Sequence, residues 1–123
     1  LLKDRDYENA LNSFKEFIEL FPDHELTDNA QYWIGEIFYA KGDWERAILE
    51  FDDVIKKYPK GDKIPAALLK EGLSFSRLGA KKESRLLLTR VIENYPKSNE
   101  ADIAKKKLDN LDKTVKQKGK KSN

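Results

Sequence analysis

Apolar residues return every three or four positions along three stretches of this chain: Tyr7, Ala10, Leu11, Phe14, Phe17, Ile18, Phe21; then Trp44, Ala47, Ile48, Phe51, Val54, Ile55, Tyr58; then Ser84, Leu88, Val91, Ile92, Tyr95. That rhythm is the stripe of an amphipathic helix about four turns long. Each stretch ends alike, in Leu20-Phe21-Pro22, Lys57-Tyr58-Pro59 and Asn94-Tyr95-Pro96, so the pattern repeats every 37 residues. Proline lacks an N–H and disfavours helical geometry in the residue before it, which stops each helix there. A fixed period of a few tens of residues marks a solenoid of stacked units.

Between these helices the pattern predicts partners. One runs from about Thr27 to Lys41 and another from about Lys63 to Leu78. Thr27 and Asp62 are expected N-caps for them, as Asp6 and Asp43 are for the helices that end in proline. Pro65 fits a first turn. Gly42 and Gly79 follow the helices as left-handed C-caps. Gly35 and Gly72 lie mid-helix at one register, where each costs about 1 kcal/mol against alanine. Their recurrence implies close helix–helix approach. From Ser98 onward, Ala101, Ala104, Leu108, Leu111 and Val115 form a narrower stripe among charges, read as a terminal capping helix.

The expected fold is therefore all-α: an α-solenoid of antiparallel helix pairs wound as a right-handed superhelix, closed by a C-terminal capping helix. One domain covers residues 1–118, with units at about 1–23, 24–60 and 61–97 and the cap at 98–118. Residues 119–123 read as a basic flexible tail. The chain starts at Leu1 within a repeat and is read as part of a longer protein. The apolar stripe of the first helix is then expected to be partly uncovered, and to meet a second copy or upstream chain.

The 123 residues are 37% charged and 39% hydrophobic, which suits units that each bury one face. Cysteine is absent, which excludes disulfides, thiol nucleophiles and cysteine zinc sites within this stretch. No apolar run is long enough to span a membrane. The last twelve residues carry five lysines against one aspartate, so the remainder is weakly acidic. Basic residues confined to a tail without aromatics do not make a nucleic-acid surface.

These positions resemble the tetratricopeptide repeat. In the middle unit Gly35, Phe38, Ala47, Phe51, Val54 and Pro59 stand at that family's signature spacings, with Ile34 at the usual leucine position. The first unit keeps Ala10, Phe14, Phe17 and Pro22. The third keeps Gly72, Phe75, Leu88, Val91 and Pro96, and departs at Glu71, where an apolar residue is usual, and at Ser84 in the small-residue slot. The stretches Asn29 to Glu36 and Pro65 to Gly72, with the Tyr-Pro endings, are similar to the C-terminal repeats of the Tol-Pal system periplasmic proteins (the YbgF/CpoB family). The likeness covers residue 5 to about 111. It implies a periplasmic adaptor that contacts the Tol energy-transducing protein and links outer-membrane constriction to cell-wall synthesis in division. An outer-membrane assembly lipoprotein-like factor or a cytoplasmic adaptor of the same architecture is the alternative.

No catalytic, cofactor-binding or metal-binding constellation is visible. His24, the single histidine, sits in a Pro-Asp-His-Glu loop and reads as solvated. Asp52-Asp53 and Glu16/Glu19 read as solvated carboxylates on polar helix faces. Trp33 and Trp44 read as core. The family register places Asn29, Tyr32, Glu36, Tyr39, Leu69, Leu73 and Arg77 along a concave groove as the expected partner-binding surface. The same residues could instead pack on a neighbouring helix. The lysine/asparagine clamp that some repeats use to hold a peptide carboxylate is not present at these positions. The reading is a non-enzymatic scaffold for a protein partner, with no nucleic acid and no membrane span.

Overall fold

The computed structural model describes residues 4–121, with side chains for residues 6–113. Six helices follow in order: α1 (Asp4–Leu20), α2 (Thr27–Ala40), α3 (Trp44–Lys57), α4 (Ile64–Arg77), α5 (Lys81–Asn94) and α6 (Asn99–Lys121). Each packs against the next, and α4 also meets α6. This is an all-α solenoid of helix pairs, without strands among the described residues.

The two glycine turns work as expected. Gly42 and Gly79 close α2 and α4 at φ 77° and 79°, a region where side chains are strained. Each turn lets the chain reverse within three residues into the second helix of the pair. Of the expected caps, Asp43 takes the Arg46 N–H at 3.3 Å. The other three differ. α1 already begins at Asp4, which places Asp6 inside it. Leu26 and Lys63 hold the N-cap positions of α2 and α4, without side-chain bonds. The Thr27 hydroxyl instead donates to the Phe21 carbonyl and satisfies the free end of α1. Ser98 caps α6 by accepting the Ala101 N–H at 3.0 Å.

The core consists of two connected clusters. One joins Ile34, Phe38, Ala47, Phe51, Val54 and Ala67 across α2, α3 and α4. The other joins Leu68, Leu87, Leu88, Val91, Ala101 and Ala104 across α4, α5 and α6. Gly35 makes the first possible: a Cβ there would lie 2.6 Å from the Phe51 ring. Gly72 repeats the device against Leu88 at 3.1 Å. One alanine recurs in every layer, at Ala30, Ala67 and Ala104, and all three are buried.

Two departures in the third unit are buried, not bulged out. Ser84 fills the small-residue slot at 0% exposure. Glu71 occupies the slot of Ile34, at 4% exposure. Leu11, Phe14 and Ile18 on α1 are only partly buried, and Leu20 and Phe21 are exposed.

Candidate protein-binding face

The first helices of the pairs, α2 and α4, lie side by side, and their shared face carries the polar chemistry. Three cations stand seven residues apart along α4 and its N-cap residue Lys63, on one side of the helix. Each covers an aromatic ring: Lys63 over Tyr32 at 5.4 Å, Lys70 over Tyr39 at 4.4 Å and Arg77 over Trp44 at 5.0 Å. Cation–ring contacts of this kind are worth about 0.5–2 kcal/mol each, more where water is excluded. Tyr39 and Trp44 meet edge to face at 5.0 Å, which joins two of the rungs. Lys70 also pairs with Glu36 at 3.3 Å. Both side chains remain about a quarter exposed, at 27% and 23%, so a ligand can reach them.

The expected groove residues divide into three groups. Tyr32, Glu36 and Tyr39 do come together on α2, with Arg77 opposite. Tyr32 is nevertheless buried, at 8% exposure, with its ring against Phe51 and Trp33. Burial, then the nearby charges of Glu36 and Glu100, push its hydroxyl well above the usual tyrosine range. It stays neutral at any physiological pH. Leu69, at 5% exposure, and the partly buried Leu73 belong to the core between α4 and α6. Asn29 lies apart, toward α1, with its Oδ1 buried and unbonded. Lys63 and Lys70 were missed. The signal was present in the seven-residue spacing Lys63, Lys70, Arg77, which matches Tyr32 and Tyr39 on α2.

Trp33 departs from the expected core position. It is 46% exposed at the outer edge of α2, a place that the next layers give to Lys70 and Lys107. Trp44 is half-buried under Arg77. His24 is exposed in an open depression between the two inter-unit loops, its Nδ1 accepting the Leu26 N–H at 3.0 Å. No group of three His, Asp or Glu side chains converges to hold a metal among the described residues. No described helix is long and apolar enough to cross a membrane.

One carboxyl is strongly perturbed. Burial first, then the charge and hydrogen bond of Asp52, push the Glu71 carboxyl up to about 8. Asp52 is therefore not the freely solvated group expected of it. It bridges Lys56 at 2.6 Å on α3 and shares a hydrogen bond with Glu71 on α4. Asp53 pairs with Lys57 at 3.4 Å, and Glu16 and Glu19 are exposed. A raised carboxyl in a cleft often marks an active site. Glu71 lies instead between packed helices at 4% exposure and lines none of the three surface depressions at the inter-unit loops, on α5 and between α1 and α2.

Two tetratricopeptide repeat profiles match, over residues 1–62 and 66–98. The chain is also 42% identical over 43 residues to the cell division coordinator CpoB of Pseudomonas putida strain KT2440, and equally to another CpoB from Pseudomonas putida. The match takes in 35% of this chain and 16% of each relative. With the stacked helix pairs, the recurring glycines and these matches, the chain belongs to the tetratricopeptide repeat family, whose members are scaffolds for binding other proteins.

Proposed function

We propose that the face shared by α2 and α4 holds an acid-bearing segment of a partner protein, and that the partner works in a bacterial envelope complex of cell division. The observation that carries the first part is the ladder of Lys63, Lys70 and Arg77 over Tyr32, Tyr39 and Trp44. Its cations recur about every 10 Å, seven residues at 1.5 Å each. An extended peptide covers that distance in about three residues. In the polyproline II form, which turns once per three residues, a carboxylate at every third position stays on one side and would meet one rung each, and the middle one would displace Glu36 from Lys70. The rings hold the cations in place before binding, which lowers the ordering cost of association. The partial likeness to CpoB supports the second part, with a periplasmic location as its corollary.

The test is binding of the purified chain to the periplasmic domain of the Tol energy-transducing protein. Lys70→Glu and Tyr39→Ala should each weaken binding at least tenfold, with helicity by circular dichroism unchanged. Affinity should also fall as salt rises, because the ladder is partly exposed. Tyr32 and Leu69 are unsuitable probes, since truncating either opens the core. Binding that survives Lys70→Glu moves the site off this face. A ladder that binds acidic peptides but not the Tol domain leaves the face and removes the partner.

A further inference from the structure

α2 rests in a seat made by α3 and α4. Gly35 lies on Phe51, Gln31 donates to the Glu50 carbonyl at 3.0 Å, and Glu36 reaches Lys70. α4 rests in the next seat, made by α5 and α6. There Gly72 lies on Leu88, and Leu68 and Leu69 cluster with Ala101 and Ala104. Both seats repeat in α1 and α2, one period earlier. Phe14 stands where Phe51 and Leu88 stand, Phe17 where Val54 and Val91 stand, and Ala30 where Ala67 and Ala104 stand. In this seat no described helix lies. Phe14, Phe17, Leu26, Ala30 and Trp33 line an open groove, with Leu26 at 49% and Trp33 at 46% exposure. Phe14 and Phe17 are only partly buried, whereas their counterparts Phe51, Leu88, Val54 and Val91 are fully buried.

The filled copies state what the empty one accepts. Any residue larger than glycine would strike the Phe14 ring, as a Cβ at Gly35 strikes Phe51. The rim differs from the filled copies in one respect. Leu26 and Trp33 replace the charged pairs Lys63/Glu100 and Lys70/Lys107. A glutamate at the place of Glu36 would therefore face an indole instead of an ammonium group. We propose that the α1/α2 groove seats an amphipathic helix of a partner protein with glycine against Phe14, flanked by apolar residues three positions before it and one after. α4 carries that signature as Leu69, Gly72 and Leu73. α2 has Tyr32 and Gly35 but breaks it at Glu36. This surface is separate from the cation ladder, and neither proposal depends on the other.

The probe is a synthetic peptide of residues 62–78 with Glu71→Ile, the change that restores the apolar residue of Ile34's slot. Added to the full chain, it should bind saturably by calorimetry, the readout for every arm below, and shift the tryptophan emission to the blue. A peptide of residues 25–41, with Glu36 in place, should bind at least tenfold more weakly. A version of the first peptide with Gly72→Leu should not bind. Trp33→Lys in the chain copies the interior layers at an exposed position, so it should abolish binding and leave helicity intact. Equal binding of the Gly72→Leu peptide overturns the proposal, as does the absence of any saturable binding. Sedimentation of the chain alone supplies a further check. A dimer that buries Trp33 as concentration rises would give the groove to a second copy and also overturn it.

Discussion

Ile34 and Glu71 hold the same place in consecutive layers, and the layers built around them differ in kind. The α2/α3 layer is closed by shape. Ile34 is 2% exposed, and Phe51 fills the notch above Gly35 at 0% exposure. The α4/α5 layer puts a carboxyl where its neighbour puts a branched alkyl chain. It offsets the charge with Lys56 on α3 and Arg90 on α5, against the opposing carboxylate of Asp52. Opposite Gly72 it uses Leu88, whose branch ends can turn aside. The difference teaches that the fold constrains volume at this slot more tightly than polarity, and that the polar solution carries a dependence on protons.

The largest effect should come from making the layers alike. Glu71→Ile is expected to stabilise the chain by on the order of 3 kcal/mol at pH 8, measured by urea unfolding. The wild-type carboxyl is raised in the folded chain above its ordinary 4.5, to about 8. Folding therefore favours the protonated form. Its contribution is whole below pH 4.5, declines as pH rises between 4.5 and about 8, and is gone above that. Glu71→Ile should remove this decline. A wild-type chain as stable at pH 8 as at pH 5 would mean that Glu71 finds better compensation than its surroundings show.

The next contrast lies at the glycines. Gly35→Ala drives a Cβ into an aromatic ring that is packed on all sides. It should destabilise by about 2 kcal/mol, even after the gain in helix propensity. Gly72→Ala meets Leu88 at 3.1 Å (Cδ2) and 3.2 Å (Cγ) and the Leu87 Cβ at 3.4 Å, all looser than the contact with Phe51, and should change stability by less than about 1 kcal/mol. Thermal unfolding of the two variants reads the difference directly, and equal losses would show that both notches are equally rigid. The smallest effect concerns the helix starts. Asp43 caps α3, whereas Ala80 holds the same position before α5 without a side-chain bond. Ala80→Asp should add about 0.5–1 kcal/mol, and Asp43→Ala should remove about as much.

Much of this architecture was legible in the sequence because it depends on residues with few substitutes. Proline ends α3 and α5, glycine alone takes the left-handed turns at 42 and 79, and only glycine fits beneath Phe51. These constraints survive without knowledge of neighbours. What escaped depends on neighbours. Trp33 reads as core by its chemistry, yet its slot is an edge that the other layers give to lysine. Thr27 looks like a cap, but the open carbonyl of Phe21 claims its hydroxyl. The face was half legible. Tyr32 and Tyr39 stand out as rings seven apart, while Lys63 and Lys70 look like ordinary solvated lysines until α4 lies beside α2. Leu69 has the right register for a groove, and α6 covers it.

Alanines recur at one register, 30, 67 and 104, and the last two are fully buried where layers meet, Ala67 with Phe51 and Val54 and Ala104 with Leu68 and Leu88. A methyl group is thus the spacer at these alanines. Lengthening the middle one alone would act as a wedge: it would tilt everything from α4 onward as a body and change the span between Tyr39 and α6 without altering any residue on that face. Curvature, and with it the length of segment the protein can grip, is adjustable from a position no ligand ever touches.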